Sequence, residues 1–151
     1  MKLLCDHMLG TLAKWLRFLG LDTAFVGPMS DKELKEIAIS QGRVILTRDK
    51  ELSQSRDVDA IYLDGDDLDH QVVQVFRALN LKVEEPMSRC SVCNGLIEEI
   101  GQEEAGNNVP EDVLSNQSVF WRCKDCGKHY WKGSHWEGIL ERIEKIRDYV
   151  S

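Results

Sequence analysis

The chain has 151 residues, 42% of them hydrophobic and 30% charged, with a formal net charge of −7. That is room for one ordinary domain, or for a compact one with a small appended module. The acidity argues against a general nucleic-acid coat, and no run approaches the ~18 apolar residues of a membrane span.

Lys2–Cys5 is a short apolar run that predicts a buried strand. Met8, Leu9, Leu12, Trp15, Leu16 and Leu19 recur at helical spacing, and Gly20 closes that helix as a left-handed cap. Thr23–Val26 reads as a second strand. Ser30–Asp31–Lys32–Glu33 has the form of a capping box, opening a helix through Leu34, Ile37 and Ala38 that stops at Gly42. Val44–Thr47 and Ala60–Leu63 are further strands, with a short helix Lys50–Gln54 between them. Asp67 to Leu79 carries Leu68, Val72, Val75, Phe76 and Leu79 on one stripe. The β-α-β-α-β order predicts an α/β fold whose parallel sheet is flanked by helices.

Pro86 marks the expected boundary, dividing the chain into residues 1–87 and 88–151. A small module follows from Arg89 to Gly133, with an acidic loop from Glu98 to Gln117. A terminal amphipathic helix carries Trp136, Ile139, Leu140, Ile143, Ile146 and Val150, and is expected to pack back on one of the modules.

The module holds Cys90–Ser91–Val92–Cys93 and Cys123–Lys124–Asp125–Cys126. A C-x-x-C pair lets two thiolates grip one metal from a single turn, and two pairs complete a tetrahedral S4 site of the kind that selects zinc or iron. Disulfides would need an oxidising compartment, and Met1–Asp6 has no apolar run of signal-peptide form, so a cytoplasmic location is expected. Neither pair follows a thioredoxin-like strand–helix pattern. Four thiolates leave no open coordination position, which makes Cys90, Cys93, Cys123 and Cys126 a structural Zn2+ site and directs the search for chemistry elsewhere. Cys5 reads as a buried strand residue.

Parallel sheets place ligand chemistry past the carboxyl ends of their strands. Asp6 follows the first strand, Asp49 follows the third, and Asp31 stands where the second ends. Carboxylates gathered there repel one another unless they share a cation, and a hard ion such as Mg2+ or Mn2+ suits them. Such ions activate water and steady the leaving oxygen of a phosphodiester. The competing reading makes Asp6 and Asp31 helix N-terminal residues and Asp49 the start of Lys50–Gln54. The acidic run from Asp64 to Asp69 reads as a solvated helix start, with Asp67 its best candidate for an extra metal or water contact.

Three stretches together resemble the Mut7-C RNase family: Asp6–His7–Met8–Leu9–Gly10–Thr11–Leu12–Ala13–Lys14–Trp15–Leu16–Arg17, Leu46–Thr47–Arg48–Asp49, and the cysteine pairs ending in Tyr130–Trp131–Lys132–Gly133–Ser134–His135–Trp136. The resemblance covers nearly the whole chain. It implies a PIN-like nuclease domain with an appended zinc ribbon, and metal-dependent cleavage of single-stranded RNA. By resemblance Asp6 and Asp49 match the acids of PIN-like sites, and Asp31 is the third ligand.

Cations could hold the substrate. Lys14 and Arg17 lie three apart on what reads as the polar side of the first helix, and Arg48 adjoins Asp49. His7 could contact phosphate. In the cysteine module Lys128 and Trp131 belong to a basic-aromatic cluster with Phe120, Trp121, Tyr130 and Trp136, and aromatics stack unpaired bases while cations follow the backbone. Some of those rings must form the module's core. His129 and His135 are expected near the metal or at the surface. The alternative function is a non-catalytic adaptor binding RNA or the ribosome through this face. Phosphotransfer at an acidic pocket is a third reading, but no lysine-bearing last strand supports it.

Overall fold

In the computed structural model, which describes residues 1–150, four strands form one parallel sheet. They are β1 (Lys2–Cys5), β2 (Asp22–Phe25), β3 (Val44–Thr47) and β4 (Ala60–Tyr62), in the order β2-β1-β3-β4. Leu3, Leu4 and Cys5 are all fully buried, as a central strand covered on both faces requires. Alternation sorts them. Leu3 and Cys5 join Leu46 on one face, and Leu4 joins Ile45 on the other.

The first face is covered by α1 (Gly10–Phe18) and α4 (Leu68–Ala78). The second is covered by α2 (Asp31–Gln41) and the single turn α3 (Lys50–Ser53), through Leu34, Ala38 and Leu52. Half of the expected capping box forms at the start of α2. Ser30 accepts the Glu33 N–H at 3.2 Å, and Gly42 ends the helix at φ 65°. α1 begins two residues later than the periodicity suggests. Asp6 accepts the Met8 N–H through its side chain and the Leu9 N–H through its carbonyl, tying the intervening residues into a turn.

The second sheet is antiparallel, with β5 (Ile97–Ile100), β6 (Phe120–Cys123) and β7 (His129–Tyr130) in that order. The acidic segment expected as a loop is partly helical. α5 (Gln102–Ala105), a 3-10 turn (Gly106–Asn108) and α6 (Glu111–Asn116) fold it over β6, with Ala105 and Val109 packed on Phe120. α7 (Ser134–Val150) then returns to the first sheet, where Ile139, Ile143 and Ile146 enter the same core as Leu3 and Phe76. Arg142 pins it there, 2.9 Å from Asp69 and over the Trp15 ring. No helix among the described residues is long and apolar enough to cross a membrane.

Candidate functional site

The strand order reverses between β1 and β3, so their connections leave a crevice where both carboxyl ends meet. A cleft of about 410 Å³ opens there, lined by Asp6, Asp31, Asp49, His7, Met8 and Arg48 among others. Three carboxylates from three stretches of chain therefore face one space. Each is held differently. Asp6 accepts the Thr47 hydroxyl at 2.7 Å through Oδ2 and the Met8 N–H at 3.1 Å through Oδ1. Asp49 caps α3 with Oδ1, accepting the Glu51 and Leu52 N–H groups, which leaves Oδ2 without a partner among the described residues. Asp31 is the first residue of α2, exposed, its side chain without a hydrogen-bond partner among the described residues. The capping reading of Asp49 is thus realised without consuming the carboxylate.

Thr47 was not singled out by the sequence as a site residue. Wholly buried, it donates to Asp6 while accepting the Asp49 N–H at 3.0 Å, and so fixes the spacing of the two strand ends. Its signal was present: a Thr closing a β-branched strand, two residues before an Asp. Apolar side chains share the lining: Met8, 65% exposed, with Val26 and Met29. Phe25, 42% exposed, lies against Gly10, where a Cβ would meet the ring at 3.1 Å. Arg48 lies in the cleft as expected. Asp67 does not: it caps α4 by accepting the His70 N–H at 2.9 Å, on a different surface.

Arg17 corrects the sequence reading. Only 7% exposed, it cannot meet substrate. Its Nε donates to the Thr23 carbonyl at 2.8 Å and its Nη1 to the carbonyls of Ser91 at 3.0 Å and Val92 at 3.2 Å. It fastens the first cysteine turn onto edge strand β2. Asn94 completes the junction, accepting the Thr23 N–H at 2.9 Å and donating to Asp22 Oδ1 at 2.7 Å. Asp22 also receives Arg43 at 2.8 Å and lies 3.9 Å from Arg89. Burial opposes its ionisation, but these hydrogen bonds and charges outweigh it and hold its carboxyl below the usual range.

The four cysteine sulfurs all lie within 4.8 Å of one another, the single such cluster of potential ligands among the described residues. Cys90 and Cys126 are 3.7 Å apart and Cys93 and Cys123 3.4 Å apart. A tetrahedron of Zn–S bonds near 2.3 Å has S···S edges of about 3.8 Å, so the donor set fits a metal such as zinc. Two equivalent turns supply it. Asn94 and Gly127 each follow a pair at φ 72° and 78°, and each donates its N–H to the carbonyl of the pair's first cysteine. Backbone N–H groups of Gly95 and Asp125 point to Cys93 and Cys123 sulfurs at 3.4 Å, a pattern that favours thiolates. Burial raises the Cys90 thiol, but the Tyr130 hydroxyl at 3.0 Å and backbone donors override it and bring it to about 7. Burial keeps the Cys93 thiol at about 12. Cys5 is unrelated to this site, and burial, with the Asp6 charge adding, raises its thiol far above the ordinary value.

The basic-aromatic cluster divides. Phe120 is core, Trp121 stacks on Trp136 at 4.9 Å, and Arg122 is neutralised by Glu98 at 2.9 Å and Glu104 at 3.6 Å. Lys128, Trp131, Tyr130, His129 and His135 line a separate groove, and Lys14 joins them there rather than at the acidic cleft.

An α/β domain with an acid-lined crevice at its switch point, joined to a four-cysteine metal module, is the class of protein that fold and sites define. Residues 1–143 match the model of the Mut7-C RNAse domain, and the chain belongs to that family. No curated protein and no solved structure matches it. Membership points to nuclease-type chemistry with RNA as the substrate.

Proposed function

We propose that the protein is a Mg2+- or Mn2+-dependent ribonuclease that cleaves unpaired RNA in the cleft formed by Asp6, Asp31 and Asp49. In this reading residues 1–87 are a PIN-like domain carrying the chemistry, and residues 88–151 are a zinc ribbon with its terminal helix. The observation that carries it is that three acids, one following β1, one opening α2 and one following β3, line one crevice of a ribonuclease-family chain. Their oxygens suit a hard divalent cation: among the described residues the Asp31 side chain and Asp49 Oδ2 are unengaged, and Asp6 keeps lone pairs beyond its two hydrogen bonds. When bound there, such a cation supplies Lewis-acid charge and acidifies a coordinated water.

The chain's own residues do the rest. Thr47 holds Asp6 at a fixed distance from the Asp49 backbone. Arg48 brings positive charge to the phosphate that the acids alone would repel. Exposed Met8, with Val26 and Met29 in the cleft wall, offers apolar surface to bases that are not stacked in a duplex, which supports a preference for single strands. Four cysteines gathered as metal ligands suit a reducing compartment such as the cytoplasm.

The test is cleavage of labelled single-stranded RNA with Mg2+, Mn2+ or a chelator, beside Asp6→Asn and Asp49→Asn. Cleavage is expected to require the ion and to fall at least ~100-fold in either variant while both stay folded. Undiminished cleavage in the variants, or indifference to divalent ions, overturns the assignment. RNA binding without any cleavage would favour the adaptor reading instead.

A further inference from the structure

The groove between α1, the cysteine module and the start of α7 belongs to neither the acidic cleft nor the thiolate cluster. Its volume is about 260 Å³, and Lys14, Phe18, Lys128, His129, Trp131 and Trp136 are among its walls. That is below the ~300 Å³ floor for drug-sized ligands, and suits one flat ring.

Two features make it more than a gap between modules. Trp136 is 91% buried (9% exposed), yet among the described residues its indole Nε1–H has no acceptor, and His129 Nε2 is also buried without a partner. Buried polar atoms are almost always satisfied, and an orphaned donor costs about 1–3 kcal/mol. Of the three such orphans among the described residues, these two belong to residues lining this groove, and the third, Arg147 Nε, does not. An occupant with acceptor atoms on an otherwise aromatic body would satisfy them. Second, the chain is acidic overall, yet Lys14 and Lys128 stand exposed on the groove's two sides, over the Phe18 and Tyr130 rings at 5.8 and 5.3 Å. Neither has an acidic partner among the described residues, unlike Arg122 and Arg142 nearby. Aromatic walls, hydrogen-bonding atoms and flanking cations are what a base with its backbone phosphates requires.

We propose that this groove takes one unpaired base of an RNA strand, with Trp136 Nε1–H donating to the base and Lys14 and Lys128 meeting the adjoining phosphates. As a site on the substrate of the cleft, it rests on the ribonuclease reading. Met8 lines the cleft just before α1 and Lys14 lines the groove one turn into that helix, so one strand can reach both.

The experiment measures anisotropy of a labelled ten-nucleotide uridine oligomer with metal-loaded protein and no added divalent ion. Lys14→Glu is expected to weaken binding about 10-fold and to lower the salt dependence, and Trp136→Phe to weaken it about 5-fold. Lys14 is exposed, so its variant retains the fold, and zinc content checks the other. Unchanged affinity in both variants overturns the proposal. So does an equal loss for duplex RNA, which would reduce the groove to general electrostatics, or uridine monophosphate binding as tightly as the oligomer. Cleavage separates the two readings. RNA long enough to reach the groove should be cleaved by Lys14→Glu with a raised KM. Base binding in the groove with no cleavage anywhere would sink the nuclease and leave the groove standing.

Discussion

Asp22→Ala should unfasten the two halves of the molecule from a single position. The carboxylate takes a charge-assisted bond from Arg43 at 2.8 Å, with side chains only 19% and 11% exposed, and another bond from the Asn94 amide at 2.7 Å. The first contributes about 1.5–3 kcal/mol and the second about 1 kcal/mol, while Arg89 at 3.9 Å adds little. Arg43 keeps the Leu3 carbonyl and Gln41 as acceptors, so the loss should come to about 3 kcal/mol at pH 7. Urea unfolding of metal-loaded protein measures it. The pH dependence is the sharper test. Because the folded-state carboxyl is held below its ordinary value, its contribution is complete above the unfolded value near 4 and is lost as pH falls through the folded one. The advantage of wild type over Asp22→Ala should therefore hold from pH 7 to about 5 and shrink below about 4, and comparing the two proteins at each pH removes the thiolate protonation common to both. A difference below about 1 kcal/mol at pH 7, or one unchanged down to pH 3, would refute the reasoning.

Gly95→Ala should cost metal affinity about 10–100-fold, because its Cβ would sit 2.8 Å from the Cys123 sulfur; competition with a chromogenic chelator reads this. Arg17→Leu should lower unfolding free energy by about 2–4 kcal/mol, since three carbonyls lose their donor; a raised KM with unchanged stability would instead restore its substrate role. Thr47→Val keeps the shape of a buried side chain but removes the link from Asp6 to the Asp49 backbone, so cleavage should fall about 10-fold or more with zinc content unchanged.

What the sequence made legible was whatever short spacing encodes. The cap at Ser30, the terminator at Gly42, the apolar strand at Lys2–Cys5 and the paired cysteines all act within a few residues, and all took the form expected. Asp6, Asp31 and Asp49 were recoverable because strand ends in a parallel sheet share a rim. Arg17 was not. Nothing local separates a solvated guanidinium from one buried against Ser91 and Val92, more than seventy positions away. α5 and α6, of 4 and 6 residues, are too short for helical periodicity to declare itself. Lys14 was read with the acids because both lie near one helix; only the packing of the cysteine module beside Phe18 shows that it borders another space.

The return of α7 bears on how this chain can be cut. A fragment ending at residue 87 keeps every strand of the parallel sheet but sheds Ile139, Ile143 and Ile146, stripping the cover from the greasy side of α4 around Val72 and Phe76. Full burial of a side chain of that size contributes about 1.5–3 kcal/mol, a large share of a small protein's margin. Such a truncation should clump and precipitate even with its acids intact. Excising the cysteine module while splicing Met87 to Ser134 by a flexible tether would be the gentler surgery, since the sheet would keep its last helix.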